Sequence, residues 1–448
     1  MASAADQMAQ SISLAKFAQA TDLKKRLWFT IGALIVFRLL SYVPLPGIDP
    51  TALGLLSQRT TGGVLDFFNT FSGGSLSRMS LIALGVMPYI TASIVVQLST
   101  SLSPQLAAIK KEGESGRKKL NQYTRYGTVA LTAIQGYFIA VGLEALSATN
   151  GVQAVIEPGM TFRIAAVISL IGGTMFLMWL GEQITSRGIG NGISLIILAG
   201  IVAELPSAIA NMLELGRQGA LSTGLILLVI IMSVVVIAFI VFMERAQRRL
   251  LIQYPKRQVG NKMFEGQSSH LPLKLNTSGV IPPIFASSLL LLPATIASFN
   301  AGKGPEWFQW ITTQLGHGRP LFLITYIGLI VFFAFFYTAI VFNPTETADN
   351  LKKHGGFIPG IRPGERTAEY IDFVLSRVTV LGAAYLAVVC LIPEILISYA
   401  SVPFYFGGTS LLIVVSVTMD TVAQVQGYLL AHQYEGLIRK SKLRGRRK

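Results

Sequence analysis

Ten runs of roughly twenty apolar residues punctuate this chain, each the length a helix needs to cross the hydrocarbon core of a bilayer. They cover residues 24–43, 77–100, 123–145, 162–180, 191–210, 221–243, 278–299, 321–342, 373–396 and 404–430. Only 13% of the 448 residues are charged, against about 25% in a soluble chain, and lipid-facing surfaces exclude charge. The mean hydropathy of +0.56 agrees. The sequence therefore predicts an all-α polytopic membrane protein with ten transmembrane helices. Residues 1–20 are mildly polar, and the first apolar run ends at Pro44 and Pro46 with no small-residue cleavage site. It is expected to be a retained helix rather than a cleaved signal.

Charge placement predicts the orientation. With ten spans, thirty of the 37 Lys and Arg residues fall on one side, and six on the other: Arg59, Arg78, Arg163, Arg217, Lys303 and Arg319. Arg38 lies within the first span. The positive-inside rule puts both termini in the cytoplasm. The expected organisation is a cytoplasmic segment over 1–23, helical halves over 24–215 and 216–430, and a basic tail over 431–448. The net charge of +15 is then mostly topology, with the tail also suited to anionic lipid headgroups. Two cytoplasmic loops, about 244–277 and 343–372, exceed what packed helices need for a connection. They mix Arg and Lys with Gly, Pro and aromatics, as in Tyr254-Pro255-Lys256-Arg257 and Gly360-Ile361-Arg362-Pro363-Gly364. Loops of that kind dock partners, and ribosomal RNA is one such acidic surface.

The motifs exclude most chemistry. There is no Walker A sequence, so the chain should not hydrolyse nucleotide itself. His270, His317, His354 and His432 are scattered and propose no metal site. The single cysteine, Cys390, reads as a small buried hydrophobe. Gly188-Ile189-Gly190-Asn191-Gly192 lacks the spacing of a dinucleotide loop. Gly113-Glu114-Ser115-Gly116 matches the Gly-x-Ser-Gly of rhomboid-type proteases, but it lies among Lys110, Lys111, Glu112, Arg117, Lys118 and Lys119, and no predicted span carries a mid-membrane histidine. No enzymatic activity and no cofactor are expected. Ionisable residues deep within spans are few, and two stand out. Arg38 can snorkel or pair. Asp420, near Gln424 and Gln426, is either a transport carboxylate or a polar helix–helix contact. A ten-span secondary transporter would need more charge at the midplane than this.

Between Gly62-Gly63 and Gly73-Gly74 lies a short amphipathic run. Val64, Phe67, Phe68 and Phe71 share one helix face. The run is too short to span, and it either folds back into a cavity or lies on the membrane surface.

Six motifs resemble signatures of the SecY/Sec61-alpha family. They are Gly85-Val86-Met87-Pro88-Tyr89-Ile90-Thr91-Ala92-Ser93-Ile94, Lys111-Glu112-Gly113-Glu114-Ser115-Gly116-Arg117, Trp179-Leu180-Gly181-Glu182-Gln183-Ile184-Thr185, Gly188-Ile189-Gly190-Asn191-Gly192-Ile193-Ser194, Phe342-Asn343-Pro344-Thr345-Glu346-Thr347-Ala348-Asp349-Asn350-Leu351 and Pro403-Phe404-Tyr405-Phe406-Gly407-Gly408-Thr409-Ser410. They occur in family order along nearly the whole chain. The resemblance implies two inverted five-helix halves around an hourglass pore. It implies a pore ring of Val86, Ile90, Ile193, Ile197, Ile284 and Ile413, of which the first four also form two i,i+4 pairs. An apolar ring of this kind resists wetting. The short run at about 61–75, with Val64, Leu65, Phe67, Phe68, Asn69 and Phe71, matches the family's plug. Thr91, Gln135, Asn276 and Leu289 fall at a lateral gate between the second and seventh spans. Arg362 matches a motor-critical arginine, and Arg248, Arg249, Lys256 and Arg257 lie in a loop for ribosome or motor contact. The chain reads Asn261-Lys262 after Gly260, a departure from those relatives that have two basic residues there.

The implied function is passage of unfolded preproteins across the bacterial cytoplasmic membrane and sideways release of signal peptides and other apolar segments. The implied partners are SecE, SecG, the motor ATPase SecA and the translating ribosome, with SecDF and YidC beyond these.

Overall fold

The computed structural model describes residues 21–49, 52, 69, 72–150, 154–219, 222–254, 257–259, 262–264, 268–299, 310, 314, 319–400 and 408–445. The chain is predominantly helical, and every apolar run falls on a helix. In chain order these are α1 (Thr21–Leu40), α2 (Met87–Leu102), the short α3 (Pro104–Lys111), α4 (Glu114–Asn150), α5 (Met160–Arg187), α6 (Gly192–Arg217), α7 (Thr223–Arg245), α8 (Ile281–Phe299), α9 (Pro320–Val341), the short α10 (Pro344–Lys353), α11 (Glu365–Ala400) and α12 (Gly408–Gly445). Among the described residues, seven helices are long and apolar enough to cross a membrane unaided. An eighth candidate is the pair α2–α3, bent by 101°. Helix α1 is diluted by Lys24, Lys25, Arg26 and Arg38.

The two largest boundary differences from the sequence reading lie at the start of α2 and the end of α12. The second span does not begin at residue 77: residues 72–86 run as successive turns, and helix starts only at Met87. The backbone explains this, since Met79 and Gly85 have φ of 43° and 57°, which no right-handed helix contains. At its other end the chain stays helical to Gly445, so most of the basic tail extends α12 instead of trailing from it.

Contacts divide the chain into two compact units. One comprises residues 1–209, 293–309 and 413–448, the other 210–292 and 310–412. In the first, α4 packs on both α2 and α5, and α5 also packs on α1. Phe162, Ala166, Leu170, Gly173, Leu177, Gly181 and Ile184 bury one stripe of α5, the spacing of a helix face turned to protein. Gly173 lets the turn backbone in: a Cβ there would overlap the Leu81 carbonyl. The 188–190 loop is stitched to two helices. Ile189 N–H donates to Thr30 Oγ1 at 3.1 Å, and Gly190 N–H donates to Gln424 Oε1 at 2.8 Å. Leu23, Ile189 and Leu429 close an apolar cluster beneath them.

In the second unit α11 is the hub, packed by α7, α9 and α10. Helix α7 buries only Val229, Val236 and Ile240 and exposes Leu227, Leu228, Ile230, Ile231, Val234 and Val235. A helix apolar all round but buried along one line is a membrane span facing lipid. Phe285 of α8 meets Phe333 of α9 edge-on at 5.7 Å, and Tyr326 of α9 is hydrogen-bonded to Thr409 at 2.8 Å.

The loop after α7 is not irregular. It holds β1 (Gln247–Gln253), β2 (Arg257–Val259), β3 (Lys262–Phe264) and β4 (Ser268–Lys274). Strands β1 and β4 pair antiparallel from Gln247↔Lys274 to Gln253↔Ser268, and β2 pairs with β3. Leu250 and Ile252 point inward while Arg249, Leu251 and Gln253 point out, the period of two that a half-buried strand requires.

Candidate functional site

Helix α2 opens on the residues expected at a constriction. Val86 is its N-cap, and Ile90 N–H donates to the Val86 carbonyl at 3.1 Å, so the two side chains sit one turn apart. Both are buried, as are Ile197, Ile284 and Ile413. Ile193 is half-buried and lies over Gly181 of α5, where a Cβ would come within 2.9 Å of it. Val86, Ile90, Ile193, Ile197 and Ile413 belong to the first compact unit and Ile284 to the second.

The four residues expected at a lateral gate have different surroundings. Thr91 is buried and donates to its own helix, at the Met87 carbonyl, 3.1 Å away. Gln135 of α4 is buried, and its Oε1 has no partner among the described residues, a costly state for an amide away from water. Asn276 precedes α8 and is saturated: its Nδ2 donates to Glu244 at 2.7 Å and to the Gly279 carbonyl at 3.0 Å, while Ser278 donates to its Oδ1. It ties the end of α7 to the start of α8. Leu289 is the exposed residue on an otherwise buried stretch of α8.

Of the short amphipathic run, Val64, Leu65, Phe67, Phe68 and Phe71 lie outside the described residues. Asn69 is described, and it anchors the turns that follow. Its Oδ1 accepts from Ser77 N–H at 2.9 Å, and its carbonyl accepts from Gly74 N–H at 2.9 Å. Here lies a cluster that sequence reasoning missed. Arg38 and Arg78 both donate to the Gly73 carbonyl, at 2.7 and 2.8 Å, and both guanidinium groups stack on the Tyr42 ring. Glu204 of α6 stands 3.9 Å from Arg78. Arg38 is thus paired with backbone. The spacing of Tyr42 one turn after Arg38 and the Gly73-Gly74 pair were the available signals.

The basic residues of the two long loops are presented differently. Arg248 and Arg249 stand exposed on β1. Lys256 lies outside the described residues, and Arg257 begins β2. Arg362 is exposed on a turn bounded by Gly360 and Gly364, with φ of 81° and 111°. Its carbonyl is held by Thr367 Oγ1 at 3.0 Å. Beside it runs an open groove lined by Ile361, Arg366, Glu369, Tyr370 and Phe373. Beneath, Leu250, Ile252 and Leu273 of the hairpin share one core with Leu351, Ile358 and Ile371. Asp420 is exposed on α12. No group of His, Cys, Asp and Glu among the described residues could hold a metal ion.

Comparison with known proteins is consistent along the chain. The SecY family model matches residues 80–422. Protein translocase subunit SecY of Escherichia coli K12 is 57% identical over 425 residues, covering 95% of this chain and 96% of that one. Among solved structures, one described as a protein-conducting channel superposes with a TM-score of 0.64 at 18% identity, covering 91% of this chain and 92% of its own. Sec61 from the canine ribosome–channel complex superposes with a TM-score of 0.62 at 17% identity, with the same coverage.

Proposed function

The chain belongs to the SecY family, and from that premise we propose that it is a protein-conducting channel for unfolded preproteins. The observation that carries this reading is the 57% identity to a translocase subunit over nearly the full length of both chains. It is a multi-pass membrane protein, with both termini placed in the cytoplasm by the charge asymmetry.

In this reading Val86, Ile90, Ile193, Ile197, Ile284 and Ile413 close around an extended polypeptide. Branched apolar side chains seal by excluding water and ions, and they part without breaking a polar network. The burial of five of the six supports that role. The run at 61–75 is the plug. Asn69 and the Arg38–Gly73–Arg78 cluster fix its C-terminal end to the turns that follow. Helices α2 and α8 supply the lateral gate, through which signal peptides reach lipid. Gln135 brings an unmet acceptor to that gate, and interhelical polar contacts are worth only about 0.6 kcal/mol on average, so such a seam opens at modest cost.

Lacking a nucleotide motif, the chain takes its energy from partners. SecA and the ribosome engage Arg248, Arg249, Lys256, Arg257 and Arg362, and SecE and SecG complete the complex. SecDF and YidC, together with anionic lipid, complete its setting. The ribosome-bound state of the structurally similar canine Sec61 supports the ribosome assignment.

The test is chemical. With Cys390 replaced by serine, a cysteine at Ile197 should crosslink to a single cysteine in a preprotein arrested mid-passage. A cysteine at Val234, exposed on α7, should not. Crosslinking at Val234 alone would refute the pore assignment.

A further inference from the structure

The two cytoplasmic loops are joined by a seam whose geometry is unusually complete. Helix α10 ends at His354, and Gly355 follows with φ of 74°. Gly355 N–H donates to the Lys352 carbonyl at 3.1 Å and Gly356 N–H to the Leu351 carbonyl at 2.8 Å. This is a Schellman ending, which commonly adds an apolar contact from the residue after the left-handed one. That residue is Gly356, which has no side chain to give. The hairpin supplies the contact instead. A Cβ on Gly356 would stand 3.0 Å from the Tyr254 ring and 3.1 Å from Ile252 Cγ2, so Tyr254 and Ile252 occupy the space a side chain would take.

One residue later the backbones bond directly. Gln253 N–H donates to the Phe357 carbonyl at 2.9 Å, and Phe357 N–H donates to the Gln253 carbonyl at 3.0 Å, forming an isolated antiparallel bridge. Ile358 then enters the shared core, and Ile361 packs against it. Ile361 N–H closes a turn onto the Ile358 carbonyl at 3.1 Å. Arg362 comes next, so the base of the exposed guanidinium is set by the hairpin, not by its own loop alone.

We propose that the hairpin and the 344–364 segment form a single docking module, in which Tyr254 seated on Gly356, with the Gln253–Phe357 bridge, positions Arg362. Tyr254 and Gly356 are positioning residues that touch no partner themselves. This inference rests on the assignment of Arg362 to the motor contact.

The experiment is a double-mutant cycle on ATP-driven import of a preprotein into inverted vesicles, with channel amount matched. Gly356→Val wedges the seam and leaves Arg362 in place. It should lower the import rate about tenfold, mid-range for residues coupled through shared contacts. In an Arg362→Glu background it should add almost nothing, because the contact it positions is already gone. A generally misfolded loop would add its own loss in that background. As the complementary arm, Gln253→Cys with Phe357→Cys, in a chain with Cys390→Ser, locks the seam. A hydrogen-bonded antiparallel pair has Cα atoms about 5.5 Å apart, within disulfide reach. The locked channel should import at the unlocked rate and should restore the Gly356→Val variant. Wild-type import by Gly356→Val, full additivity with Arg362→Glu, or loss of import on locking would each overturn the proposal. The motor assignment fails separately, and visibly, if Arg362→Glu alone imports at the wild-type rate.

Discussion

At the scale of single residues, side chains that hold the fold separate from those that serve traffic through it. Arg362 is exposed, and its replacement should change stability by no more than about 0.5 kcal/mol. Its proposed work is a bidentate contact with a partner carboxylate. Lysine keeps the charge but loses the planar fork. Motor-driven import should therefore fall in Arg362→Lys and fall further in Arg362→Glu, while both variants still assemble with SecE. The ring behaves differently. Replacing Ile90, Ile193 and Ile284 with serine should wet the constriction and raise resting ion conductance in planar bilayers. A triple variant as tight as wild type would remove these residues from the seal. Gly173 belongs to the fold alone. Its missing side chain admits the Leu81 carbonyl, so Gly173→Val should cost about 1–3 kcal/mol and show as a lowered Tm in detergent. Local sequence exposes little of this. The proposed ring rests on motifs, because a branched residue in an apolar run looks the same in a pore, a core or lipid. Arg38 was legible only as an anomaly, since its acceptor, the Gly73 carbonyl, lies 35 residues away.

At the scale of elements, the long helices were legible because the bilayer imposes their length and composition. Every apolar run became helix, and errors gathered at ends, where local backbone overrides hydropathy. The second run reads as apolar from residue 77, yet Met79 and Gly85 hold positive φ and delay α2 to Met87. The β-hairpin was not legible as such. Arg248 and Arg249 disguise the alternation of Leu250 and Ile252. Its inner face is buried by Leu351, Ile358 and Ile371, about a hundred residues away in the chain, and no local pattern announces that cover. The lateral gate is a claim about elements, and it has a test at the same scale. With Cys390 replaced, cysteines at Thr91 of α2 and Leu289 of α8 should be joined by a short crosslinker. The joined form should lose both export and membrane insertion. Undiminished export with the crosslink complete would place the exit elsewhere.

At the scale of the whole molecule, the long apolar helices mark a multi-pass membrane protein. In the proposed ten-span topology thirty basic residues lie on the cytoplasmic side, where the positive-inside rule sets topology, and the hairpin is proposed to stand there too. On the proposed reading the chain is a conduit that partners drive. The most direct test of that claim is reconstitution of the purified chain with SecE, SecG and SecA in lipid vesicles, followed by addition of an unfolded preprotein and ATP. Preprotein should become protected from external protease in an ATP-dependent manner, and the ring variant should leak ions while still translocating. If the protease removes all preprotein, although the chain is inserted and the motor hydrolyses ATP on it, the chain is not the conduit.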